Sequence, residues 1–146
     1  MKKIITTALL TGFVCLSTFA QKSEVFVAGG KAIKGYDPVA FFTQSKPVKG
    51  QDSLMYSWKG ADWLFSSRMN LESFRADPEK YAPQYGGYCA FGTSQGHKAP
   101  SETDTWTIVN NKLYFNYNMK VKEMWVKDQP GLIEKADRMW PELKDK

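Results

Sequence analysis

Apolar positions along the chain fall into short runs separated by turn-forming residues, so the pattern predicts many brief elements. Val25-Phe26-Val27 reads as an edge strand that Gly29-Gly30 breaks. Asp37-Pro38 marks a turn, because a residue before proline is pushed out of the α region. Val39 to Phe42 is then a short buried run, and polar Gln44 to Ser53, with Pro47 and Gly50, reads as a loop. Leu54 to Trp58 and Trp63 to Ser66 flank Lys59-Gly60-Ala61-Asp62, the pattern of a hairpin. Arg68 to Ala76 predicts a helix with Leu71 and Phe74 on one face and Ser67 as its cap. Asp77-Pro78 ends it, and Glu79 to Ala82 adds a turn before Pro83.

The second half carries the clearest local signal. Thr105 to Val109 and Lys112 to Tyr117 are β-branched and aromatic, and Asn110-Asn111 between them suits a tight hairpin turn. Val121, Met124 and Trp125 share one helical face. Asp128 to Gly131 interrupts, with Pro130 fitted to the first turn of a new helix. Leu132, Ile133, Ala136 and Met139 or Trp140 recur at helical spacing, and Pro141 is expected to stop the run. The elements add up to an α+β fold, a small single domain of short antiparallel hairpins packed on short helices.

The N-terminus stands apart. Lys2 and Lys3 precede a mostly apolar Ile4 to Leu16, and Thr18-Phe19-Ala20 ends in small residues at −3 and −1. Residues 1–20 therefore read as a secretory signal peptide cleaved after Ala20. The apolar run is short for a membrane span, which needs about 20 residues. Cys15 suggests a lipid-attachment site, but Val14 is too bulky for that box. The expectation is an exported protein, periplasmic or extracellular, with no stable membrane insertion after cleavage. Residues 21–33 form a lead-in and 34–146 the domain. Removing Lys2 and Lys3 lowers the formal charge from +5 by two, to +3. Basic and acidic residues are interspersed, which points to a solvated surface and away from nucleic acid.

Cysteine usage sharpens the chemistry. Cys15 leaves with the signal, so Cys89 has no partner for an internal disulfide. It lies in a stretch from Tyr81 to His97 that also holds the chain's one histidine and several glycines and tyrosines. Cys89 and His97, eight residues apart, are the candidate metal ligands; Tyr85 and Tyr88 are the candidate walls of a small-ligand site. Asp37, Asp104 and Met119 stand as further donors. A thioether added to Cys and His would suit copper, and a carboxylate would suit zinc. Against this, free cysteine behaves as a small buried hydrophobe, and a histidine beside Gly96 and Lys98 fits an exposed loop. A third reading is a reactive thiol, its pKa lowered by His97. No hydrolase elbow, phosphate loop, zinc-protease helix or dinucleotide fingerprint is present.

Trp58 to Tyr81, with Asp37-Pro38-Val39 upstream, resembles the YHS domain family, whose pattern includes D-P-V-C and F-C-S-x-x-C. The wider similarity, to an exported branch of that family, runs over about residues 34 to 142. The resemblance implies heavy-metal handling through cysteine thiolates. This chain departs at each such position, with Ala40, Ser66 and Asn70, so the thiolate site does not carry over. The expected function is a non-catalytic domain binding copper, zinc or a small ligand at the Gly-rich loop. The alternatives are a degenerate module that recognises a partner protein without metal, and a thiol-dependent enzyme.

Overall fold

The computed structural model describes residues 23–146. The expected signal peptide, with Cys15, lies outside the described residues. A tight hairpin joins strands β1 (Val27–Ala28) and β2 (Lys31–Ala32), and a longer one joins β3 (Gln51–Trp58) and β4 (Ala61–Phe65). A single parallel pairing of Lys31 with Asp62 unites them into a sheet of order β1-β2-β4-β3. The β3–β4 turn is Lys59-Gly60 alone, with φ of 50° and 71°. A two-residue hairpin turn needs that left-handed geometry at both positions.

Helices α1 (Pro38–Thr43) and α2 (Arg68–Ala76) cover this sheet, and α3 (Pro78–Tyr81) packs on both of them. Phe74 of α2 is wholly buried, its ring centroid 5.0 Å from that of Trp63 and 5.2 Å from that of Phe65. Burying a side chain of this kind contributes about 1.5–3 kcal/mol. Phe41 of α1 extends the same cluster to Trp106 at 5.8 Å and Phe115 at 5.3 Å. Those rings belong to the second half, which comprises α4 (Ala90–Ser94), the hairpin β5 (Glu102–Val109) and β6 (Lys112–Asn116), α5 (Met119–Val126) and α6 (Gln129–Leu143). Its own core gathers Tyr85, Tyr114, Trp125, Leu132 and Ala136. The fold is thus α+β, with two aromatic clusters meeting along a seam. Among the described residues, no helix is long and apolar enough to cross a membrane.

Four elements differ from the sequence-based expectation. Val39 to Phe42 is helical, because Pro38 occupies the first turn and the Asp37 carboxylate caps it. The first strand is Val27–Ala28, and Gly29-Gly30 is its turn rather than its end. Strand β3 begins at Gln51, inside the polar stretch read as a loop; its edge position leaves those polar side chains in water. Finally, α6 runs through Pro141 to Leu143. Proline removes one hydrogen bond and crowds the preceding turn, but only one further turn follows, closed by Lys144 N–H donating to the Trp140 carbonyl at 2.9 Å.

The first half is tied together by Asp37, which is fully buried. One carboxylate oxygen accepts from the backbone N–H of Val39 at 2.9 Å and of Ala40 at 3.3 Å. The other accepts from Ser66 N–H at 2.8 Å, the Ser66 hydroxyl at 2.6 Å and the Asn70 amide at 2.7 Å. The three positions where the family resemblance would place thiolates, Ala40, Ser66 and Asn70, therefore converge in space, and here they serve as donors to a carboxylate. Asp37→Ala would strand several buried donors at once and should lower the unfolding free energy by at least about 3 kcal/mol in urea titration. Asn70→Ala removes one donor and should lower it by about 1–2 kcal/mol. A loss below about 1 kcal/mol for Asp37→Ala would show that the knot does not carry this half of the fold.

Candidate functional site

The Gly-rich stretch lies at the seam between the two aromatic clusters, where it borders a cavity of about 300 Å³. Each wall comes from a different element. The lead-in supplies Glu24, the β3–β4 hairpin Trp58 and Lys59, α3 Glu79, the Gly-rich loop Gln84 to Gly86, and α6 Asp137, Trp140 and Pro141. Cavities at such junctions are the usual place for a small molecule, since one pocket can draw on several chemistries.

Two local features fix the walls. Gly86, at φ +61°, crosses directly under the lead-in: a Cβ built on it would lie 1.8 Å from the Glu24 carbonyl oxygen. Its own carbonyl accepts from Phe26 N–H at 2.9 Å. Only glycine permits this approach, and the approach sets Glu24 at the cavity rim. Tyr85 beside it also takes a left-handed conformation, φ 56°, which is uncommon for an aromatic residue. The strain is offset by its ring, packed against Tyr114 at 5.9 Å and Trp140 at 6.0 Å. Its hydroxyl donates to Asp137 at 2.8 Å.

Charge in the cavity is already organised. The Lys59 ammonium lies 3.0 Å from Glu24 and 3.2 Å from Glu79, and 4.7 Å from the centre of a Trp58 ring. Burial pushes the Lys59 pKa down, but its hydrogen bonds to the two glutamates outweigh that and leave it raised. Asp137 carries a second acceptor. Pro141, four residues on in α6, has no N–H to give to the Asp137 carbonyl.

The candidate residues of the sequence reading are placed unevenly. Tyr85 lines the seam cavity. Tyr88 lines a separate cavity of about 280 Å³ with Phe26, Val27 and Lys98, and its hydroxyl donates to the Ser23 carbonyl at 2.7 Å. Cys89 is 1% exposed, and its sulfur caps α4. It accepts from the N–H of Gly92 at 3.3 Å and of Tyr117 at 3.2 Å, and donates to the Asn116 side-chain oxygen at 3.6 Å. His97 is exposed. Both approach Gly92, since a Cβ built there would lie 3.3 Å from His97 Nε2, so they share a neighbour but not an environment. Asp37 is committed to the knot described above, and Met119 is an exposed residue at the start of α5. Among the described residues, no three of His, Cys, Asp and Glu come together to hold a metal. A structural zinc centre takes four protein donors and a catalytic one three.

Sequence reasoning did not single out Glu24, Lys59, Asp137 or Trp140. Asp137, Trp140 and Pro141 stand at i, i+3 and i+4, the spacing that shares a helix face, and the sequence reading assigned Trp140, like the other tryptophans, mainly to the core. Lys59 follows a tryptophan at a hairpin tip, where an ammonium readily folds back over the ring.

The YHS domain model matches residues 39–85. Comparison with curated proteins and with solved structures gave no match.

Four acidic protons around the Gly-rich stretch are held more tightly by the fold than by water. Burial pushes the Cys89 thiol up against the opposing pull of its backbone donors, and burial likewise raises Tyr88. Burial, then the nearby Asp137 carboxylate, raise Tyr85 and lift Tyr114 to about 12. In each case the native state favours the neutral form. The associated stability is complete below the unfolded pKa, about 8.5 for a thiol and about 10 for a phenol, and is lost as pH rises through the folded values. The melting temperature should hold level from about pH 6 to 8 and fall above about pH 9; a rise across the alkaline range would contradict this assignment.

Proposed function

From the likeness of residues 39–85 to the YHS domain, we propose that this chain is a non-catalytic binding module whose small-molecule ligand sits in the seam cavity beside Gln84 to Gly86. The carrying observation is that five separate elements converge on this cavity with aromatic, acidic and basic side chains, while a strained Tyr85 and a Gly86 that tolerates no side chain hold its floor. Strain of this kind persists where the surroundings enforce it, and it clusters at ligand sites. A thiol reaction is disfavoured by the burial of Cys89 and its raised pKa, because the thiolate is the reactive form.

The family's association with heavy metals depends on thiolates that this chain replaces with Ala40, Ser66 and Asn70. The carboxylate of Asp37 already occupies the donors at those positions. Small-molecule binding therefore accounts for more of the residues present than copper or zinc does. Titration of the purified protein with indole, followed by amide chemical shifts, should move the signals of Lys59, Gln84 to Gly86 and Asp137 together. Shifts scattered over the surface, or uptake of copper or zinc that Cys89→Ser abolishes, would overturn the proposal.

A further inference from the structure

The chemistry of the seam cavity is biased toward one class of ligand. Its walls carry three carboxylates, Glu24, Glu79 and Asp137, against two ammoniums, Lys59 and Lys112. Most donors there are committed: Lys59 to Glu24 and Glu79, the Tyr85 hydroxyl to Asp137, and the Trp63 indole N–H to the Trp58 carbonyl at 3.0 Å. The acceptors are in excess, with three carboxylates against two ammoniums. Trp58, Tyr85 and Trp140 add aromatic rings to the lining, the last two with centroids 6.0 Å apart.

The protein's own side chain displays what such a lining holds. Lys59 is an ammonium placed over an indole and between two carboxylates. A cation on an aromatic face gains about 0.5–1 kcal/mol when exposed and about 2 when desolvated, and quaternary ammoniums are recognised in this way. Resting on the reading that the cavity is a ligand site, we propose that it takes an organic cation, a small primary or quaternary amine with an apolar or aromatic body. The amine would sit toward Asp137 and Trp140, with its body against the indole of Trp58. Lys59, held on Glu24 and Glu79 over the Trp58 ring, then lowers affinity as an internal competitor for that aromatic face and by like-charge repulsion of the bound amine. A volume near 300 Å³ admits a single-ring amine.

The test is a titration of the purified protein with benzyltrimethylammonium, benzylamine, benzyl alcohol and benzoate, read by amide shifts and tryptophan fluorescence. The two cations should bind about ten-fold or more tighter than benzyl alcohol, with benzoate weakest. Asp137→Asn keeps an oxygen for the Tyr85 hydroxyl and should erase most of the cation preference. Lys59→Gln frees two carboxylates and should tighten benzyltrimethylammonium several-fold. If benzyl alcohol or benzoate moves the same amides as strongly as the cations, the amine assignment fails while the cavity remains a ligand site. If none of the four probes moves those amides, the site itself is wrong and the assignment falls with it. A Lys59→Gln protein that binds the cations no more tightly would remove the competitor role.

Discussion

Asp37 sits where three segments of the first half meet, and its two oxygens are divided among them. One closes the first turn of α1; the other draws the end of β4 and the start of α2 against it. A buried carboxylate with fewer donors would destabilise this region, since desolvating a charge is expensive unless hydrogen bonds replace the lost water. Five such bonds let a polar anchor stand beside Phe41, Phe65 and Phe74 without opening the core. With α1 and α2 fixed on the sheet, the β3–β4 hairpin has one orientation, and Trp58 and Lys59 at its tip have one place to go.

The Gly-rich stretch performs the complementary task for the second half. Its left-handed residues turn the chain under the lead-in at Gly86 and send Tyr85 into the cluster built on α6. Cys89 then starts α4, its sulfur acting as a hydrogen-bonding cap. Lys98 closes the same region from the other side. Its ammonium reaches the carbonyls of Ser23, Lys144 and Lys146 and lies over Tyr88 and Trp140. The first-half anchor and this loop are separate devices, and the cavity is the space left where the units they organise fail to close on each other.

Much of the fold was legible in the sequence because its signals are local. The Ser67 cap, the Leu71 and Phe74 face, the Asn110-Asn111 turn and the start of the last helix at Pro130 each depend on a few neighbouring residues. The site was legible only in part. Tyr85 lay in a recognisable loop, but Glu24, Lys59 and Asp137 come from positions far apart in the chain, and nothing in their local context announces a shared space. Cys89 and His97 drew attention through rarity, a property of composition. What Cys89 does is set by neighbours such as Asn116 and Tyr117, which the topology brings up from the far hairpin.

The contact of Phe41 with Trp106 and Phe115 bears on how such a domain can be inherited. The stretch matched by the family model ends at residue 85, before either of those rings. Gene duplication or fusion that copied this stretch alone would deliver a helix with a bare phenylalanine and a sheet lacking its β1–β2 edge. The piece that packs as one core is longer than the matched stretch, and it must carry both flanks to arrive with that core closed.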